Sequence, residues 1–290
     1  MSSAPFDPHA ALLSALQLSA TSARTTEDIF TAVSLPMPGG RIFGGQVLAQ
    51  AVVAASRTIP DDRPVHSMHG YFLRPGDATQ GVTLSVDRIH DGRSFSTRRT
   101  QAFQDGVPIF SMIASFQVEG PGLEHQEPMP AGIPRPDAVS APEPATLHPM
   151  SQRVLDQSPI ETRHVEGTIF NEVPARAARQ HVWLRARTRL PDDPAVHRAA
   201  LAFMSDMTIQ EPVLRAHGVP WAQPRLRVAS LDHAMWWHRD ARADEWLLFA
   251  QDSPSSRGGR GLAHGRLYTQ DGMLVATVAQ EIMARVPDPE

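Results

Sequence analysis

The chain has 290 residues, 41% of them hydrophobic and 20% charged, with a formal net charge of −4. This is the composition of a soluble globular protein of one large domain or two ordinary ones, and its mild acidity offers no basic field for nucleic acid. It contains no cysteine, which excludes disulfides, thiol nucleophiles, iron–sulfur clusters and Cys-ligated zinc.

The opening MSSAPFDPHAALLSALQLSA has no Lys or Arg before Arg24 and so lacks the basic start of a secretory signal. No apolar run is long enough to span a bilayer, and the C-terminal VPDPE is not a peroxisomal address, so a cytoplasmic location is expected. The segment GGQVLAQAVVAASRT (44–58) puts Val47, Ala51, Ala54 and Ala55 on one helical face, with small residues that let a sheet come close. Strands are predicted at about 65–74, 81–89, 94–104 and 107–118, with turn signals at Pro75-Gly76-Asp77, Asp91-Gly92 and Asp105-Gly106. A helix followed by an antiparallel meander is an α+β module.

Nine prolines then fall between Pro121 and Pro159, a stretch that reads as an extended linker along a surface and as neither helix nor central strand. Beyond it the pattern returns. Asp193-Pro194 is an N-cap followed by proline at the first helical position, and the predicted helix 195–207 turns Val196, Ala199, Ala200 and Phe203 inward. Strands follow near 225–239, 245–252, 259–270 and 273–285. TQAFQDGVPIFSMIASF (100–116) parallels LYTQDGMLVATVAQEI (267–282), and VHSMHGYFLR (65–74) parallels VASLDHAMWWHR (228–239), at an offset of about 163–166 residues. That period is too long for a solenoid and fits a duplicated module. The expected organisation is an N-terminal module at 1–118, a Pro-rich linker at 119–164 and a C-terminal module at 165–290.

Three polar residues of the second half stand out. On the last strand Leu274, Ala276, Val278, Gln280 and Ile282 share one face, four of them apolar and one an amide. Asp206 lies at the edge of the helix's apolar stripe, near its C-terminus, where burial and the helix dipole both raise a carboxyl pKa. Ser230 sits on a strand able to flank the same helix. His66 and His69, and likewise His233 and His238, are odd spacings on strands, so they face opposite ways and read as structural or surface histidines. No G-x-S-x-G elbow or Walker A loop is present, and the Gly-rich RGGRGLAHG (257–265) lies between strands, outside a dinucleotide-binding frame. Neither a metal nor a cofactor is expected.

The segments FGGQVLAQA (43–51), VHSMHGYFLRPGD (65–77), DGRSFSTRR (91–99), GVPIFSMIASFQ (106–117), SDM (205–207), SLDHAMWWHR (230–239), EWLLF (245–249) and YTQDGMLVATVAQE (268–281), in this order, resemble the acyl-CoA thioesterase II family. The resemblance covers nearly the whole chain. It implies a double hotdog, two helices each wrapped by antiparallel sheet, and hydrolysis of acyl-CoA, expected to be medium- to long-chain, to free acid and CoA. It also implies a catalytic water held by an Asp, a Thr and a Gln, which fall on Asp206, Ser230 and Gln280. Serine departs from the usual threonine but keeps the hydroxyl. In the implied mechanism water attacks the thioester directly, with Asp206 as base. The first-half helix start at Gly44 and Gly45 is a candidate oxyanion site. Arg93, Arg98, Arg99, Arg257 and Arg260 are candidates for the CoA phosphates.

Two other readings remain at this stage. Hotdog-fold hydratases resemble one another in a His five residues after the helix Asp, where this chain has Glu211. A non-catalytic acyl-CoA binder or scaffold is the other alternative. Sheet edges in such folds favour homo-oligomers, here expected to be a dimer or tetramer.

Overall fold

The computed structural model describes residues 7–20, 27–142, 149–174 and 176–286. The first half runs α1 (Pro8–Leu16), β1 (Leu18–Ala20), β2 (Asp28–Ala32), α2 (Gly44–Ser56), β3 (Val65–Phe72), β4 (Val82–Asp91), β5 (Phe95–Gln104) and β6 (Val107–Gln117). The second runs α3 (Pro149–Gln157), β7 (Ile160–His164), β8 (Arg179–Ala186), α4 (Pro194–Ser205), α5 (Glu211–Ala216), β9 (Arg227–Ser230), β10 (Asp232–Trp237), β11 (Leu247–Arg257), β12 (Arg260–Thr269) and β13 (Leu274–Arg285).

All strands join one antiparallel sheet, in the order β1-β2-β4-β5-β6-β3-β10-β13-β12-β11-β8-β7, with β9 pairing the far end of β13. Read outward from the junction of β3 and β10, the two halves repeat the same order. The junction centres on Met68 opposite Met235, both fully buried. Each half wraps its own long helix, α2 or α4, and the two helices pack on each other in one continuous core. This is the double hotdog of class α+β. Among the described residues no helix is long and apolar enough to cross a membrane.

The helices form where the small, apolar faces predicted. Ala49, Ala51, Ala54 and Ala55 of α2 are fully buried, as are Ala199, Ala200 and Ala202 of α4. With only a methyl between backbone and neighbour, sheet and helix approach closely on both sides. Asp193 caps α4 by accepting from the Ala195 N–H at 2.9 Å, with Pro194 in the first turn. Arg198 of α4 ties the halves together by donating to the Val65 carbonyl at 2.7 Å.

The proline-bearing interval departs from the extended reading in part. Pro149–Gln157 is helix α3 and Ile160–His164 is strand β7, so the segment 119–164 holds the second half's counterparts of α1 and β1. The prolines permit this because Pro149 opens the helix and Pro159 follows its end, the two places where a missing N–H and a fixed φ do no harm. The part before it does run along a surface. Pro134 accepts from Trp183 Nε1 at 2.9 Å, Gln126 bonds to Gly272 and Leu274, and Met129 and Ile133 pack on the outer face of the second-half sheet around Trp183, Leu248 and Tyr268. A further difference is the predicted strand 225–239, which breaks at Leu231 into β9 and β10. Ser230 pairs with Ile282 but Ala234 pairs with Ala279, a slip of one residue.

Candidate active site

Asp206 is the C-cap of α4 and is only 3% exposed. Its Oδ1 accepts from Gln280 Nε2 at 2.9 Å and from Ser230 Oγ at 3.1 Å, and Gln280 Nε2 also lies 2.9 Å from Ser230 Oγ. The three residues singled out in the sequence are thus brought together, from the end of one helix and two strands. The slip at Leu231 makes this possible. Ser230 and His233 are three apart and would face opposite sides of an unbroken strand, but the extra residue turns both toward Gln280.

The surroundings set the charge state of Asp206. Burial raises its pKa from 3.8 to about 6, against the hydrogen bonds from Gln280, Ser230 and the Gly45 N–H, which favour the ionised form. A carboxylate at a helix C-terminus is disfavoured by the dipole, and here a second helix compensates. The N-cap of α2 is Phe43, which supplies no side-chain acceptor, so the first N–H groups of α2 lack a local cap. Asp206 supplies one from the other half of the chain. The approach is tight enough to require glycine: a Cβ on Gly44 would lie 2.6 Å from Asp206 Oδ2, and one on Gly45 would lie 2.3 Å from the Phe203 carbonyl. In this arrangement the Gly45 N–H serves the carboxylate.

Two further residues belong to the network. His233, expected to be structural or on the surface, is 1% exposed, and its Nδ1–H donates to Gln280 Oε1. Burial lowers its pKa to about 4, so the ring is neutral near pH 7, and Nε2 lies 2.9 Å from Ser205 Oγ. By taking the amide oxygen of Gln280, His233 turns the amide nitrogen toward Asp206 and Ser230. Gln210 Nε2 donates to Ser230 Oγ at 3.0 Å. The usable signal for His233 was its parity with Met235 and Trp237, which point into the core from β10.

Asp206 opens onto a cavity of about 600 Å³, mostly apolar, within the usual range for small-molecule sites. Leu35, Met37 and Phe43 line it from the first half, Val154 and Leu155 from α3, and Phe203 from α4. The wall from α3 was invisible in the sequence because its segment read as linker.

The five arginines separate. Arg98 is 1% exposed and bound to Asp91, to the Thr58 hydroxyl and to the carbonyls of Thr58, His90 and Thr97, so it is a structural cation and not a phosphate ligand. Its partner Thr58 follows the C-terminus of α2, a helix length of roughly 20 Å from the N-terminus that meets Asp206. Arg93 and Arg99 are exposed on the same β4–β5 hairpin, and Arg99 pairs with Asp87 at 3.1 Å. Arg257 and Arg260 flank the β11–β12 turn, exposed, at the end of β13 that carries Gln280. There Arg260 opposes Met283 and bonds to Glu281 at 2.9 Å.

Comparison with known proteins identifies the family. Residues 155–283 match the family model described as acyl-CoA thioesterase, and residues 31–117 match acyl-CoA thioesterase N-terminal domain. The chain is 37% identical to human acyl-coenzyme A thioesterase 8 over 275 residues, covering 90% of this chain and 85% of that protein. It is 35% identical to acyl-CoA thioesterase 2 of Haemophilus influenzae over 273 residues, covering 89% and 92%. The crystal structure of an acyl-CoA thioesterase II from Mycobacterium marinum superposes with a TM-score of 0.79 at 43% identity, covering 96% and 99%. The chain therefore belongs to the acyl-CoA thioesterase II family of thioester hydrolases.

Proposed function

We propose that the protein hydrolyses medium- to long-chain fatty acyl-CoA by direct attack of water, with Asp206 as the general base. The observation that carries this reading is a buried carboxylate, its pKa at about 6, opening onto a large apolar cavity. A base titrating near neutrality is ionised at pH 7 yet still takes up a proton readily. Ser230 and Gln280 converge on Oδ1 and fix the plane of the carboxylate, and with it the direction of the water. The water's proton passes to Asp206 as its oxygen bonds to the thioester carbon. The C–S bond then breaks, and the CoA thiolate leaves and regains a proton from Asp206. The N-terminus of α2 directs its positive end at this point, which suits the oxyanion of the tetrahedral intermediate. The acyl chain occupies the cavity, and Arg257 and Arg260, exposed at the end of β13 that carries Gln280, are the arginines we assign to CoA phosphate. The test is thiol release from a fatty acyl-CoA by the purified chain and by its Asp206→Asn variant. Release by the wild type and its near-loss in the variant is expected; equal rates would overturn the assignment of the base.

A further inference from the structure

Ser230 is the least constrained member of the site. Its strand β9 has four residues and pairs with β13 alone, and the side chain is half-buried. Serine lacks the second Cβ substituent that stiffens χ1 in a β-branched residue, so nothing in its own covalent structure points the hydroxyl at Asp206. The hydroxyl nevertheless has three partners. It donates to Asp206 Oδ1 at 3.1 Å, and two amide nitrogens meet it, Gln280 Nε2 at 2.9 Å and Gln210 Nε2 at 3.0 Å. One proton and two lone pairs are the full capacity of a hydroxyl. Gln280 is shared with Asp206 and His233, but the mechanism gives Gln210 no part.

Gln210 is held in place by its neighbours. It is the N-cap of α5, yet its side chain makes no capping bond. The turn is pinned on either side of it. Ile209 is fully buried, Gln251 Nε2 donates to Thr208 Oγ1 at 2.6 Å, and Trp221 Nε1 donates to Glu211 Oε1 at 3.0 Å. The side chain lines the cavity onto which Asp206 opens. An ionised carboxylate has no proton to give, so the serine proton goes to Asp206, and Gln210 meets the oxygen as a donor. We infer that Gln210 is a positioning residue, whose amide holds the Ser230 hydroxyl against Asp206. It supplies by a hydrogen bond the orientation that a β-branched side chain supplies by steric restriction. Its effect passes through Ser230 to the plane of the carboxylate.

This role rests on the thioesterase reading, and the measurements keep the two apart. Gln210→Leu is made in the full chain with Ser230 and again with Ser230→Thr. Within each pair kcat is compared for thiol release from a fatty acyl-CoA. With serine the loss is expected to be about threefold to tenfold, the worth of one neutral hydrogen bond, with KM unchanged. With threonine, whose χ1 is restricted by its own branch, the same replacement should cost less than about twofold. The titration of Asp206, followed by carboxyl NMR, reads the bond without turnover. Its pKa should rise in Gln210→Leu with serine, because a hydroxyl that swings away no longer favours the ionised form, and should hold with threonine. Circular dichroism verifies the fold, and Gln210→Met is read instead if the leucine variant does not fold. Equal losses in the two backgrounds, or no loss with serine, would overturn the positioning role and leave the thioesterase. Absence of thiol release from the wild type would overturn the thioesterase reading, and the Asp206 titration would then decide the role of Gln210.

Discussion

The C-caps of the two long helices show how the halves of this duplicated chain have diverged. At the end of α2 stands Arg57, whose side chain donates to the Leu18 carbonyl, a cation where the helix dipole welcomes one. At the end of α4 stands Asp206, a carboxylate where the dipole opposes one. The sheet repeats the contrast. Met68 and Met235 are equivalent across the junction, Met68 faces Ala114 and Met235 faces Val278, so the register sets Phe116 in the place of Gln280. Phe116 is fully buried among apolar groups, whereas Gln280 is fully buried within a polar network. The half that obeys local preference is scaffold, and the half that breaks it carries the candidate chemistry.

Separating the halves should have the largest effect. The site takes the Gly45 N–H from one half and Asp206 from the other, and cutting the chain exposes β3 and β10 as bare edges. A fragment of residues 149–290 is expected to be insoluble or self-associated, without measurable thioester hydrolysis. A monomeric active fragment, seen by light scattering and thiol release, would contradict the shared site.

Next comes Asp206→Asn, which should lower turnover on the order of 10²–10⁴-fold, the usual effect of losing a general base. In the wild type the rate should climb as pH rises through about 6, where Asp206 ionises, and then level off. The contribution of Asp206 to stability should move the other way. The folded pKa is raised, so Asp206 costs stability as pH rises from 3.8 to about 6, roughly 3 kcal/mol in all. At pH 7 the asparagine variant is therefore expected to melt higher than wild type by calorimetry. A lower melting point there would contradict the burial cost assigned to the carboxylate.

Gln280→Leu should lose both rate and stability. Its amide is satisfied by His233, Asp206 and Ser230, so leucine strands these groups at about 1–3 kcal/mol. Paired melting and rate measurements on one preparation check this, and a variant that turns over normally would remove Gln280 from the site. The smallest change is at Ser230, where threonine should preserve activity and alanine impair it, because only the hydroxyl bonds Asp206. Equal rates for serine and alanine would show that this hydroxyl is idle.

Much of this was legible from residue order alone. The 3.6-residue periodicity of α2 and α4, the turn dipeptides and the buried face of β13 follow from local chemistry, and their boundaries differ by a few residues. Asp206 and Gln280 were visible as rule-breakers on apolar faces. Less was visible where the structure depends on distant partners. The break at Leu231 is set by what β13 offers opposite it, and without that break His233 and Ser230 belong to opposite sides. Prolines masked α3, and with it one wall of the cavity. The missing cap of α2 was readable at Phe43, but not that Asp206 would supply it.

Gln280 sits between Asp206 and His233, and the position has a consequence for proton exchange on folding. Between about pH 4 and 6 the unfolded chain carries a proton on the histidine, ordinarily 6.5, and none on the carboxylate, ordinarily 3.8. The folded chain carries it on Asp206, raised to about 6, and none on His233, lowered to about 4. The raised carboxyl alone would make stability fall as pH rises through this window. The lowered imidazole alone would make stability fall as pH drops below 6.5. The slopes are opposite, so folding shifts one proton across a single glutamine without net uptake. A site holding two strongly perturbed groups is thereby silent in the acid dependence of stability. Neutralising either partner exposes the slope of the other.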